Sequence, residues 1–237
     1  MKAVILAGGH GKRLRPLTQD RPKALVEVGG RPIIEWQIRW LSSHGVKEFV
    51  VCAGYMKEKF FSVIGSGSKL GVKVCYSVED EPLGTGGALK NAEGLLMNES
   101  GFLTVNGDII TSLNPTVLAE QGSVGVISLV PLKSPFGVVE LSDNGLVKGF
   151  LEKPQLDHWV NAGVYYFKPE IFQYLPEKGD LEKTTFPELA KKNMLKAVKF
   201  RDVFWRAIDT QKDVEEVEKE LLQQTQATKA DTSYAGQ

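Results

Sequence analysis

Ala3-Val4-Ile5-Leu6 runs straight into Ala7-Gly8-Gly9-His10-Gly11, and this junction decides the fold. An unbroken apolar run reads as a strand buried on both faces, as in parallel sheets. Glycines directly after such a strand let the chain turn tightly and aim backbone N–H groups at an anion, with no Cβ in the way. Arg13 and Arg15, then Lys23 in Arg21-Pro22-Lys23, place cations just beyond the loop. That combination suits a polyphosphate. It is neither of the two commonest glycine fingerprints: Leu14 stands where G-x-G-x-x-G needs its third glycine, and Gly11-Lys12 is followed by Arg13 rather than Ser or Thr.

Working outward, strands and helices alternate. A helix starts after Pro32, carries Ile33, Ile34, Ile38 and Leu41 on one side, and stops at Gly45. A strand follows over 48–53, a helix over 55–64, a strand over 72–78, a helix near 86–96 and a strand over 102–106. This rhythm predicts a parallel sheet covered by helices on both faces, with ligands at the carboxyl ends of the strands. After residue 123 the pattern changes to four strands in quick succession, at 124–130, 137–141, 146–150 and 160–167. Ser142-Asp143-Asn144-Gly145 makes a hairpin turn between the second and third. Short helices near 169–174 and 186–192, strands near 196–200 and 203–206, and a charged helix over 210–224 complete the chain. The expected fold class is α/β: a Rossmann-like, mostly parallel mixed sheet flanked by helices, with a smaller β lobe. The expected organisation is a single domain over 1–225, divided into a core (1–122) and the lobe with its closing helix (123–225). The polar segment 226–237 reads as a disordered tail.

Composition narrows the class. The 237 residues hold 42% hydrophobic and 24% charged residues, ordinary for a globular protein with a sizeable core. Lys plus Arg and Asp plus Glu number 29 each, so the net charge is zero, which argues against a general nucleic-acid binder. No apolar stretch approaches the length of a membrane span and no signal peptide is read at the start, so no membrane partner and a cytoplasmic location are expected. Cys52 and Cys75 fall inside expected strands and read as small buried hydrophobes in a reducing compartment. His10, His44 and His158 gather no partners in sequence, and a homo-oligomer is compatible with everything so far.

The full string Leu6-Ala7-Gly8-Gly9-x-Gly11-x-Arg13-Leu14-x-Pro16-Leu17-Thr18, followed by Pro22-Lys23-x-Leu25-Val26, resembles the signature of the sugar-1-phosphate nucleotidylyltransferases, the NDP-sugar pyrophosphorylases. The resemblance implies that Leu6, Ala7, Gly8, Gly9 and Gly11 bind a nucleotide, and that Arg13 and Lys23 are catalytic. It also implies that Asp108, in Val105-Asn106-Gly107-Asp108, is a Mg²⁺ ligand. Read locally, the alternative is an Asp that holds a turn. The family's second metal aspartate corresponds to Asp209, although the spacing from Trp205 is longer here and the usual following glycine is missing. Locally, Asp209 is as good an N-cap for the last helix. Phe150-Leu151-Glu152-Lys153-Pro154 resembles the F-x-E-K-P segment, which implies Lys153 on the sugar phosphate and Glu152 on a sugar hydroxyl. Asn161 in Asn161-Ala162-Gly163-Val164-Tyr165, and Gly137, are the corresponding sugar contacts.

The base is read around Glu81-Pro82-Leu83-Gly84-Thr85, where relatives using uridine or thymidine triphosphates usually carry Gln-Pro. A carboxylate offers only acceptors, and guanine presents two adjacent donors, so Glu81 points to GTP. The other reading leaves Glu81 in solvent and gives the base to the backbone near Gly84. The resemblance thus implies a Mg²⁺-dependent transfer joining a nucleoside triphosphate to a sugar 1-phosphate, with NDP-sugar and pyrophosphate as products. GTP with mannose 1-phosphate or a manno-heptose 1-phosphate is the first expectation. A glucose-1-phosphate thymidylyl- or uridylyltransferase is the alternative within the class. A catalytically silent NDP-sugar-binding paralogue is the alternative outside it, and retention of Arg13, Lys23, Asp108, Lys153 and Asp209 speaks against that. The hexapeptide repeat of a left-handed β-helix is not seen.

Overall fold

The computed structural model describes residues 1–234, with 224–234 described as backbone alone. In chain order the elements are β1 (Lys2–Leu6), β2 (Glu27–Val28), β3 (Arg31–Pro32), α1 (Ile33–Ser43), β4 (Glu48–Ala53), α2 (Glu58–Val63), β5 (Lys73–Val78), α3 (Gly84–Asn91), α4 (Glu93–Leu96), β6 (Phe102–Asn106), β7 (Ile109–Thr111) and α5 (Thr116–Ala119). They continue as β8 (Gly125–Lys133), β9 (Val138–Leu141), β10 (Val147–Leu151), β11 (Gln155–Phe167), α6 (Thr185–Lys191), β12 (Leu195–Lys199), β13 (Trp205–Ala207) and α7 (Gln211–Tyr234).

Seven strands form one central sheet in the order β12-β8-β11-β6-β1-β4-β5. β1 lies inside the sheet, between β6 and β4 and parallel to both, and β5 and β12 join in parallel at the two edges. β11 alone runs antiparallel to both its neighbours. The apolar run of β1 is divided between two cores, as a strand covered on both faces requires. Ala3 and Ile5 pack with Ile34, Ile38 and Leu41 of α1 on one side. Val4 and Leu6 pack with Ala88 and Leu89 of α3, Phe172 and Phe186 on the other.

Several sequence expectations change here. Most of the β lobe is continuous with the core, since β8, β11 and β12 extend the central sheet, while the β9–β10 hairpin and the β7–β13 ladder stand apart. Non-local pairing between β6 and β11 decides this, and strand spacing does not reveal it. The helix expected over 55–64 begins at Glu58, and that expected near 86–96 is divided at Ala92. The last helix passes its expected end near 224 and continues to Tyr234, through a segment with no Pro or Gly to stop it. The tail expected over 226–237 therefore begins within this helix, and 235–237 lie outside the described residues. Cys52 is buried but Cys75 is exposed, because β5 is an edge strand with one face toward solvent. No helix among the described residues is long and apolar enough to cross a membrane.

Candidate active site

A cleft of about 420 Å³ opens at the carboxyl ends of β1, β6 and β5. The glycine loop forms its floor, with Leu6, Ala7, Gly8, Gly9 and Gly11 all lining it beside Arg13 and Lys23. Gly11 has φ +60°, and a Cβ there would lie 3.0 Å from the Lys23 Cβ and from Thr18 Cγ2. Thr18 Oγ1 donates to the Gly11 carbonyl at 2.9 Å, so the loop is strapped to the segment that carries the lysine. Ala24, Leu25 and Val26, directly after Lys23, are buried. The lysine backbone is thereby fixed while its side chain reaches the cleft.

Asp108 and Asp209 are 101 residues apart in sequence, and a short ladder brings them together. β7, starting one residue after Asp108, pairs antiparallel with β13, which ends two residues before Asp209. The Ile208 N–H also donates to the Asp108 carbonyl at 2.9 Å. Gly107 allows the close approach of this segment to β1: its N–H donates to the Leu6 carbonyl at 2.9 Å, and a Cβ there would stand only 2.6 Å from the same oxygen.

Asp209 is not the cap of α7. That role falls to Thr210 and Asp213, which form a capping box: Asp213 Oδ2 accepts from the backbone N–H groups of Asp209 and Thr210 at 3.0 and 2.6 Å, and the Asp213 N–H donates to Thr210 Oγ1 at 3.3 Å. The Asp209 carboxylate is left to face the cleft. There Lys23 Nζ donates to Asp108 Oδ2 at 2.7 Å and to Asp209 Oδ1 at 2.6 Å, and Arg13 donates to the same Asp209 oxygen at 2.8 Å. Two carboxylates converging on one cation are hard oxygen donors of the kind Mg²⁺ takes when phosphate oxygens supply the rest of its shell. Among the described residues no cluster of three or more His, Cys, Asp or Glu gathers, so a metal held here would share its ligation with the substrate.

On the side of the cleft facing β5, one expected residue lies elsewhere. Glu81 does not line it; its side chain is 78% exposed and pairs with Lys178 at 3.6 Å. Glu79 lines it instead and is only 5% exposed. The Glu79 N–H donates to the Ala53 carbonyl at 2.9 Å, prolonging the ladder beyond β5, and the chain then bends, so that Glu81 turns outward. Glu79 Oε2 accepts from the Leu83 N–H at 3.1 Å, whereas Oε1 is buried with no partner. Burial pushes the Glu79 carboxyl above the usual range, opposed by the Leu83 hydrogen bond. Gly8 packs closely beside it: a Cβ there would lie 2.8 Å from Oε1, so the carboxyl would have to shift. The alternation that buries Ser77 and exposes Val78 also buries Glu79, and that period is the signal that could have found it.

Gly84 and Thr85 line the same wall at the start of α3. The glycines of this turn are pressed against the chain at Gly179, where a Cβ on Gly84 would come within 2.6 Å of the carbonyl oxygen. Thr85 Oγ1 donates to Glu182 Oε2 at 2.9 Å, and Tyr165 Oη donates to Glu182 Oε1 at 3.4 Å. Asn161 Nδ2 donates to Tyr165 Oη at 2.9 Å. A polar chain thus links the nucleotide side of the cleft to Asn161 on β11. Trp205 anchors the other end by donating from Nε1 to the Ala162 carbonyl at 2.7 Å.

Asn161, Gly137, Glu152 and Lys153 are not part of the cleft lining. Glu152 and Gly137 are neighbours, with a Cβ on Gly137 reaching 3.1 Å from Glu152 Oε2. Lys153 is exposed, with φ +46°, in the turn between β10 and β11. His10, which the sequence left without a partner, stacks on Tyr55 at 4.6 Å between ring centroids and also lines the cleft.

The Nucleotidyl transferase family model matches residues 2–224 of this chain. The chain is 37% identical over 226 residues to a mannose-1-phosphate guanyltransferase of Saccharomyces cerevisiae, and 35% identical over 223 residues to the mannose-1-phosphate guanylyltransferase catalytic subunit beta of Drosophila melanogaster. Each match covers 90% of this chain but only 62% and 60% of those relatives, so the chain spans about three-fifths of their length. Among solved structures, HddC from Yersinia pseudotuberculosis, complexed with GMP-PN, superposes with a TM-score of 0.73 at 27% identity, covering 93% of this chain and 99% of that one.

Proposed function

Since the chain belongs to the nucleotidyl transferase family, we propose that it joins GTP to a mannose-type sugar 1-phosphate, releasing pyrophosphate and forming a GDP-sugar. The observation that carries the reaction is the meeting of Lys23, Arg13, Asp108 and Asp209 beside the glycine loop. The relatives named for mannose-1-phosphate guanylyl transfer support both substrates, and the Glu79 carboxyl on the cleft wall suits guanine, whose two donors a carboxylate can accept.

In this reading an oxygen of the sugar phosphate attacks the α-phosphorus of the triphosphate. The bond from that phosphorus to the bridging oxygen breaks, and its electron pair leaves with pyrophosphate. The nucleophile is already anionic, so no general base is required. The barrier is electrostatic and positional, since one anion must approach another in line. Backbone N–H groups from Gly8 to Gly11 hold the phosphates, Lys23 neutralises charge at the α-phosphate, and Arg13 stabilises departing pyrophosphate. Lys153 brings the sugar phosphate, with Glu152, Asn161 and the Gly137 backbone on the sugar. Asp108 and Asp209 would hold Mg²⁺, which when bound supplies Lewis-acid neutralisation of phosphate oxygens. Placement in the cytoplasm belongs to the same reading, and both thiols are free.

Pyrophosphate release, measured with each of the four nucleoside triphosphates against mannose, glucose and manno-heptose 1-phosphates, tests the proposal. GTP with mannose 1-phosphate is expected to lead. A preference for TTP or UTP with glucose 1-phosphate refutes the substrate assignment, and no release from any pair refutes the reaction.

A further inference from the structure

Lys23 Nζ stands between one oxygen of Asp108 and one of Asp209, at 2.7 and 2.6 Å. A cation shared by the two carboxylates would occupy that same place. The lysine side chain is 16% exposed, the aspartates 28% and 31%, and Arg13, the other cation on Asp209, is 74% exposed and correspondingly screened by water. Lys23 is therefore the dominant counter-ion of the pair. A divalent ion entering beside it would be repelled by the ammonium and would find both carboxylates already hydrogen-bonded. The lysine backbone is held by the buried Ala24-Leu25-Val26 that follows it, while the four-carbon stem, packed at Cβ and Cγ against Gly11, sets the ammonium beside the glycine loop as well as the two carboxylates.

Resting on the nucleotidyl-transfer reading above, we propose that Lys23 is the resident counter-ion of the Asp108–Asp209 pair, and that a divalent metal gains these carboxylates only when a triphosphate draws the lysine away. The lysine thereby acts twice: it holds two acidic groups together in the empty cleft, and it exchanges them for phosphate when nucleotide enters. Metal affinity becomes conditional on nucleotide, with no moving lid.

The test is Mn²⁺ binding by calorimetry and electron paramagnetic resonance, with no nucleotide or sugar phosphate present. The nucleotide-free wild type is expected to bind weakly, and Lys23→Met and Lys23→Gln at least about tenfold more tightly. Adding Asp108→Asn to either variant is expected to abolish the gain. The metal-free variants are expected to melt below wild type, and Mn²⁺ to raise their Tm by more than it raises that of wild type. Equal or weaker Mn²⁺ binding by the lysine variants overturns the proposal, as does a gain that survives Asp108→Asn. Should neither variant fold, the wild type decides: tight nucleotide-free Mn²⁺ binding that Asp108→Asn abolishes overturns the proposal, and its absence supports it. Because the readout is binding and melting, this outcome is independent of whether wild-type protein releases pyrophosphate, the measurement on which the parent reading stands.

Discussion

Replacing Glu79 by Gln is the most informative single change. The side chain is nearly isosteric, so Oε1 of the glutamine can keep the bond from the Leu83 N–H that Oε2 accepts now. The amide then presents an NH₂ where the wild type has a buried, unpartnered oxygen 2.8 Å from the position of a Cβ on Gly8. Facing guanine, a donor would meet donors, and one charge-assisted hydrogen bond is lost. Such a bond contributes roughly 2–3 kcal/mol, so kcat/KM for GTP should fall about 30- to 150-fold. UTP, whose edge an amide can match, should lose nothing or gain, so the GTP/UTP ratio falls by more than the GTP value alone. Acidity gives a second readout. Burial raises this carboxyl above its ordinary value of 4.5, so the stability it contributes is complete below 4.5 and is lost as pH rises through the raised value. Glu79→Gln should therefore gain stability over wild type between acid and neutral pH, in urea unfolding. GTP binding has the opposite dependence, since the ionised carboxylate is the acceptor: wild-type affinity should weaken as pH falls through the raised value, and the variant should lack that limb. A variant within about threefold of wild type for GTP, with an unchanged GTP/UTP ratio, refutes base reading by Glu79 and returns it to the backbone near Gly84.

Three further outcomes are expected. Lys23→Ala should remain folded yet lose about 10²–10³ in turnover, read from steady-state pyrophosphate release. Gly107→Ala puts a methyl against the Leu6 carbonyl and should destabilise by roughly 1–3 kcal/mol in urea unfolding, with loss of the Asp108–Asp209 pairing reported by weakened nucleotide-supported Mn²⁺ binding. Asp213→Ala removes the carboxylate that caps α7 and steadies the Asp209 backbone, and should cost about 1 kcal/mol of stability by thermal unfolding.

The glycine loop of the cleft was legible because its determinants are local: a buried strand runs straight into glycines, and Asp108 follows a second buried strand at the same end of the sheet. The partnership of Asp108 with Asp209 was legible only through resemblance, since the ladder between Ile109–Thr111 and Trp205–Ala207 is three residues long and joins distant parts of the chain. The place of Glu79 in the cleft wall was not read from the sequence, because the alternation in β5 that buries Ser77 and Glu79 was not followed past the strand's end. The status of Cys75 depended on β5 being an edge strand, and no local pattern states that.

β11 has a mechanical consequence. Its outer stretch, Gln155 to Asn161, pairs with β8 alone, while Val164 to Phe167 is clasped between β6 and β8 in the middle of the sheet. The register slips between Asn161 and Tyr165, where Gly163 takes φ +73°. The outer half therefore hangs from the same rod that crosses the core. That rod carries two breaks in register, one between Gln155 and Trp159 and one between Asn161 and Tyr165, and any bending at the second would be felt by the Tyr165 hydroxyl, to which Asn161 donates.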